Sequence, residues 1–195
     1  MSKRIVIIQG HPDSVTTHFG HALDQAYARG AQQAGHSVKI IHVAQLNFEL
    51  LRSEQEFEEV SPVADILKAQ EAIMWAEHIV ILYPLWLGDM PALLKGFLEQ
   101  TLRPRFAMTS GERNGWPKKE LKGRSAHIIV TMGMPGVIYR WFYCAHSLKS
   151  LKRNILSFCG IKPIRDTLIG SVDNLSKAQR SKWLQKMQRL GETGR

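Results

Sequence analysis

Hydrophobic residues along this 195-residue chain follow two periods that take turns. Arg4–Gln9 carries Ile5, Val6, Ile7 and Ile8 with no polar interruption and stops at Gly10. A short β-branched run of this kind predicts a strand covered on both faces, as in a parallel sheet. Phe19, Ala22, Leu23, Ala26, Tyr27, Ala31 and Ala34 follow at helical spacing, and Gly35 sits where a helix C-terminus turns left-handed. Ser37–Val43 predicts a second strand, His78–Tyr83 a third, Ser125–Thr131 a fourth and Lys162–Ile169 a fifth. Further helices are predicted between and after them. One opens with Ser61 as N-cap and Pro62 at its first position and runs to Trp75. One opens at Pro91 and shows Leu93, Leu94, Phe97, Leu98 and Thr101 on one face. One covers Ser147–Cys159. The last follows a capping box of Ser176 and Gln179 and carries Trp183, Leu184, Met187 and Leu190. Glu49–Val60 is acidic and irregular, a loop or frayed helix. Leu102–Gly123 is long, with Pro, Gly and basic residues, the composition of a functional or mobile loop.

Strand and helix in alternation predict one domain over residues 1–195, a three-layer α/β fold around a parallel sheet. Right-handed crossovers leave few strand orders. The doubly wound, flavodoxin-like order 2-1-3-4-5 suits five strands and this length. Ligands of such sheets sit at the C-terminal strand ends where the order reverses. That brings together the loops after strands one, three and four: Gly10–His18, Pro84–Met90 and Met132–Tyr139.

Composition narrows the picture. Apolar residues make up 44% of the chain, enough for one core and too many for a disordered chain. The longest stretch without Asp, Glu, Lys or Arg, Ser125–Tyr139, is short and broken by Gly and Pro, so no stable membrane insertion is expected. The N-terminus enters a strand pattern directly and does not read as a secretory signal. Two cysteines, Cys144 and Cys159, make no disulfide framework, which suits a reducing cytoplasm. The net charge of +9 is compatible with nucleic acid, an anionic ligand or a basic surface. Lys118, Lys119, Lys122 and Arg124 cluster, as do Lys149, Lys152 and Arg153, but no nucleic-acid motif accompanies them. A solvated basic face is expected, with no nucleic-acid partner.

The first loop, GHPDSVTTHFGHAL, runs from a strand into a helix N-terminus, where free N–H groups and the helix dipole favour an anion. Ser14, Thr16 and Thr17 add hydroxyls and His11 and His18 add ring N–H donors; the same residues also serve as ordinary helix caps. No Gly-Lys-Ser/Thr or Gly-x-Gly-x-x-Gly is present. Asp13 is awkward beside a phosphate and is expected to point outward or close a local turn. In the second loop, Leu85, Trp86 and Leu87 offer a wall for a flat ring or a plug under the next helix, and Gly88 permits close backbone approach. The third loop is followed by Tyr139, Trp141, Phe142 and Tyr143, which read as core or subunit packing, with Tyr139 and His146 as candidate proton donors. No metal site or acyl-transfer triad is expected.

Taken together, GHPD with HFGHAL, YPLWLGDMPALLKGFLEQ, RFAM, TMGMPGVIYRWFY and ILSFCGIKP resemble the NAD(P)H:quinone oxidoreductase family over roughly the whole chain. The resemblance implies a flavin-dependent oxidoreductase that takes hydride from NAD(P)H and passes it to a quinone or similar acceptor. It assigns His11, Thr17, His18 and Phe19 to the flavin phosphate, beside the Thr16 hydroxyl that the loop itself offers, Pro84, Leu85, Trp86 and Leu87 to the ring wall, and Thr131, Met132 and Gly133 to its pyrimidine end. Tyr139 and His146 match the family's proton-handling pair, with Tyr143 a rival. His18 stands where the family usually has Ser, and Met132 and Met134 where a hydroxyl and a glycine are usual. The chain lacks a long C-terminal extension, which points to FMN, with FAD the alternative. Arg103, Arg105 and Arg140 lean towards NADPH as donor. A homodimer is implied. Some relatives are flavoprotein regulatory subunits docked peripherally on a potassium-efflux transporter, a second role; an electron-carrier flavodoxin is a competing reading, although its phosphate loop is absent.

Overall fold

The structure, a computed structural model, describes residues 2–109 and 118–195. Five parallel strands, β1 (Arg4–Gln9), β2 (Ser37–His42), β3 (His78–Pro84), β4 (Ser125–Thr131) and β5 (Ile164–Ile169), form one sheet in the order β2-β1-β3-β4-β5. The helices are α1 (Phe19–Gln33), α2 (Glu54–Glu58), α3 (Ala64–Trp75), α4 (Ala92–Thr101), α5 (Gly136–Trp141), α6 (His146–Ser150) and α7 (Lys177–Thr193). The β-branched runs are buried because alternate residues feed two cores. Val6, Ile8, Ile79, Ile81, Ile128 and Val130 pack with α3, α4 and the helical run after α5. Ile5, Ile7, Val80, Leu82 and Ile129 pack with α1 and α7 on the other face. Burial on both faces explains why the strands read as continuous apolar runs.

α1 and α7 touch through glycine. A Cβ on Gly30 would lie 2.0 Å from the Gln188 carbonyl oxygen, and one on Gly191 would lie 2.1 Å from that of Tyr27. Only a missing side chain at each position lets the two backbones meet. The predicted capping box holds: Ser176 Oγ accepts from the Gln179 N–H at 3.2 Å and Gln179 Oε1 accepts from the Ser176 N–H at 2.8 Å.

Three local expectations are corrected. Ser61 and Pro62 do not open α3, which starts at Ala64 with Val63 as an extended N-cap. The Arg103 guanidinium donates to the Val60 carbonyl oxygen and to that of Glu56, which ties down the segment before the helix. The third loop is shorter than expected, since Gly136–Trp141 is helical. The helix expected over Ser147–Cys159 is α6 followed by a wide π-turn, Leu151–Leu156. Leu151 and Leu156 are both buried. At five residues apart they would diverge on an α-helix, and the wider turn brings them to one face. Within Leu102–Gly123 a two-residue antiparallel ribbon pairs Met108–Thr109 with Lys118–Lys119, and residues 110–117 lie outside the described residues. Among the described residues no helix is long and apolar enough to cross a membrane.

Candidate functional site

The loop after β1 is organised by its own polar residues. Asp13 Oδ1 accepts from the N–H groups of Val15 (2.8 Å) and Thr16 (3.1 Å), and Oδ2 pairs with His18 Nε2 at 2.8 Å. Asp13 therefore closes a local turn, and these contacts, His18 first, hold its carboxyl well below the usual range. His18 stacks on His11, ring centroids 3.9 Å apart, and His21 lies 5.4 Å from His11. Two ring tautomers follow from backbone donors. His11 Nδ1 accepts from the Asp13 N–H, and His21 Nδ1 accepts from the His18 N–H. Each neutral ring then carries its proton on Nε2 and can donate it. Burial, and for His11 the neighbouring His18 and His21, pushes both below the ordinary histidine value. A cavity of about 200 Å³ opens here, lined by His11, Ser14, Thr16, Thr17, His21 and His42 among others. The hydroxyl residues Ser14, Thr16 and Thr17, the His11 and His21 rings and Gln25 of α1 all line it. That donor set suits an anion.

Sequence reasoning missed what supports this loop. Gln9, at the end of β1, accepts from the His11 N–H through Oε1 at 3.0 Å and donates from Nε2 to Asp24 Oδ2 at 2.5 Å. Asp24 is buried on α1, and its burial raises its carboxyl above the ordinary value. Two polar residues at positions that face the core were the available signal.

The second loop is a tight turn. Trp86 and Asp89 exchange both backbone hydrogen bonds, at 2.8 and 2.9 Å, around Leu87 (φ +48°) and Gly88 (φ +82°). Positive φ at both central residues is the primed turn that closes narrow hairpins. Glycine takes this conformation freely, whereas Leu87 takes it at a cost. The turn leaves the Leu87 side chain fully exposed and Trp86 half-exposed. The Trp86 ring edge meets His11, centroids 5.9 Å apart, which joins the second loop to the first. The third loop joins the second through the Leu85 N–H, which donates to the Thr131 carbonyl oxygen at 2.7 Å. Met132 is buried with its N–H donated to Ile169. Among the described residues the N–H groups of Leu87 and Gly133 have no partner. These contacts join His11 and His18, Trp86 and Leu85, and Thr131 into one rim, whereas Phe19 packs with the α1–α7 core under Arg180.

The remaining candidates sit differently. Tyr139 is buried, its hydroxyl 2.7 Å from Ser147 Oγ and accepting from the Leu148 N–H at 3.2 Å. It fastens α5 to α6. His146 is exposed at the first position of α6, and Tyr143 is exposed beside Phe142. Arg103 is buried; its guanidinium donates to the carbonyl oxygens of Glu56 and Val60 and to Gln100 Oε1. That use removes it from the cations that lean towards NADPH, and Arg140 is paired with Asp166 at 2.8 Å.

The chain belongs to the family described as having a flavodoxin-like fold, whose model matches residues 3–190. An uncharacterized NAD(P)H oxidoreductase of Haemophilus influenzae is 29% identical over 171 residues, 86% of this chain and 83% of that protein. The NAD(P)H:quinone oxidoreductase of Methanothermobacter marburgensis superposes with a TM-score of 0.78 at 23% identity, covering 98% of each chain. An FMN-dependent NADH-azoreductase of Bacillus anthracis, solved with FMN, superposes with a TM-score of 0.72 at 17% identity, covering 99% of each chain.

Proposed function

We propose that this protein is a flavin-dependent NAD(P)H oxidoreductase that reduces quinones or similar acceptors. The observation that carries the proposal is the rim itself. An anion-suited donor set lies at one end, and two unpartnered N–H groups, Leu87 and Gly133, lie beside exposed aromatic and aliphatic side chains at the other. The names of the relatives support the reading. A bound flavin would supply the chemistry, accepting hydride from a nicotinamide and passing reducing equivalents on. The chain's residues do the rest. His11 and His21 would donate Nε2–H and Thr17 its hydroxyl to the phosphate, with the Thr16 hydroxyl shared with Asp13. FMN is the flavin proposed, in line with the FMN-dependent azoreductase among the structural relatives. Pro84, Leu85, Trp86 and Leu87 line one side of the ring. The N–H groups of Leu87 and Gly133 would be available to stabilise negative charge on the reduced ring. His146 is the exposed proton carrier, and Tyr139 holds α6, which bears it, through Ser147 and Leu148. Exposed Leu87, Ile138, Phe142 and Tyr143 mark the face that a second copy covers in a homodimer. Absorbance of the purified protein, chromatography of the released cofactor and anaerobic mixing with NADH and NADPH test the proposal. Flavin bands that bleach with either donor support it. Colourless protein that binds neither FMN nor FAD overturns it.

A further inference from the structure

Beyond the rim, α5 and its C-cap residue Phe142 present two sets of side chains. Ile138 and Phe142, four apart, belong to the face already assigned to a second copy. Val137, Arg140 and Trp141 line a separate cavity of about 480 Å³ against the outer edge of β5. Lys186 of α7 lines that cavity and also a second one of about 540 Å³, with Lys182, Trp183 and Arg189. The two cavities share this lysine as a lining residue. Their cations are Arg140, Lys182, Lys186 and Arg189, and their rings are Trp141 and Trp183. Asp166 is the one acid among the lining residues, and it is matched by Arg140 at 2.8 Å and Lys152 at 2.6 Å.

Trp183 is half-buried against the α1–α7 core, whereas neither the redox site nor the core accounts for Trp141 and the exposed cations. Trp141 is 76% exposed, although burying an indole is ordinarily favourable. Lys182, Lys186 and Arg189 recur along one side of α7 at helical spacing, all exposed. Lys186 lies over the Trp183 ring at 4.6 Å, so this cation and ring present one amphipathic surface. Tryptophans flanked by Lys and Arg on an exposed helix side are the composition of an interfacial, membrane-surface element, with the rings at headgroup level and the cations on anionic lipid. The chain's charge of +9 adds long-range attraction of the same sign.

We propose that the outer side of α7, together with Arg140 and Trp141, docks the protein on an anionic lipid bilayer, leaving the sheet and its rim outside the hydrocarbon. The commitment to lipid rests on charge complementarity, from the exposed Lys182, Lys186 and Arg189, and on the exposed indole of Trp141. The test is co-sedimentation of the full-length purified protein with vesicles of equimolar phosphatidylglycerol and phosphatidylcholine, against phosphatidylcholine alone. Expected are binding to the anionic vesicles that weakens with salt, and none to the neutral ones. Each cation near such a surface contributes about fivefold in binding. Lys182→Glu, Lys186→Glu and Arg189→Glu together are then expected to weaken binding by about a hundredfold or more. A second triple, Arg29→Glu, Lys68→Glu and Lys122→Glu, makes the same change in net charge at other exposed positions and should bind nearly as the parent does. Equal loss in both triples, tighter binding to single-stranded nucleic acid than to the anionic vesicles, or no binding to those vesicles at low salt overturns the proposal. The readout needs no bound flavin, so its failure leaves the redox reading intact, and the reverse holds as well.

Discussion

His78 makes the fold sensitive to acid in a way that can be worked out in advance. Its ring is buried at the start of β3; Nδ1 lies 2.8 Å from Ser125 Oγ, and Nε2 has no partner among the described residues. A proton on this ring would place an uncompensated charge in the core, and burial, reinforced by His127 nearby, pushes its pKa down to about 3. The folded value lies below the unfolded one, so the unfolded chain takes up the proton first. Stability is complete above about pH 6.5 and falls as the pH drops towards the folded value, by about 1.4 kcal/mol per pH unit. At pH 5 His78 alone accounts for a loss of about 2 kcal/mol, a large fraction of the 5–15 kcal/mol typical of a domain. His127 acts in the same direction. Its Nδ1 donates to the Arg195 carbonyl oxygen at 3.0 Å, its Nε2 accepts from Thr167 at 2.9 Å, and burial lowers its pKa. Urea unfolding of the parent and of His78→Asn at a series of pH values isolates the term. Asn keeps a partner for Ser125 and cannot titrate. The parent curve should fall more steeply below pH 6.5, the slopes differing by about 1.4 kcal/mol per unit. Parallel curves would refute the reasoning.

Three further expectations follow. Gly191→Ala forces a Cβ to within 2.1 Å of the Tyr27 carbonyl oxygen and should part α1 from α7, costing about 3 kcal/mol in chemical denaturation; Gly35→Ala, where no neighbour lies within 4 Å, should show backbone strain alone and a smaller loss. Arg103→Ala removes bonds to Glu56, Val60 and Gln100 and should cost about 3 kcal/mol and increase proteolysis between Arg52 and Ser61, whereas unchanged cutting there would contradict the clamp. His11→Ala removes an Nε2–H donor from the first loop and should weaken FMN binding about tenfold in a fluorescence titration, near 1.4 kcal/mol; unchanged affinity would place the phosphate elsewhere.

Most of the fold was legible because it rests on local rules. Residues 5–8 and 79–82 are unbroken apolar runs, and only strands buried on both faces need such runs. Ser176 and Gln179 mark the start of α7 by a bond pattern three residues long. What escaped depends on partners distant in sequence. The start of α3 is set by Arg103, some forty residues on, so Ser61 and Pro62 gave a local signal that the clamp overrides. The π-turn comes from two leucines sharing one core face five residues apart. Within the site, the loops and their order could be read from the strand order, and Asp13 closes the local turn its chemistry required. The Gln9–Asp24 support beneath His11 could not be, because it joins a strand end to a helix interior. Tyr139 and His146 were both readable as proton donors, and only the structure separates an engaged, buried hydroxyl from an exposed ring.

The central claim is that the rim formed by the first, second and third loops holds a redox-active flavin. The most direct measurement is the visible absorbance of the purified protein before and after anaerobic addition of NADPH or NADH, followed by chromatography of the released cofactor. The account predicts flavin bands, their loss on reduction, their return when a quinone is added, and FMN as the released compound. A colourless protein whose spectrum does not change when FMN or FAD is supplied would contradict it.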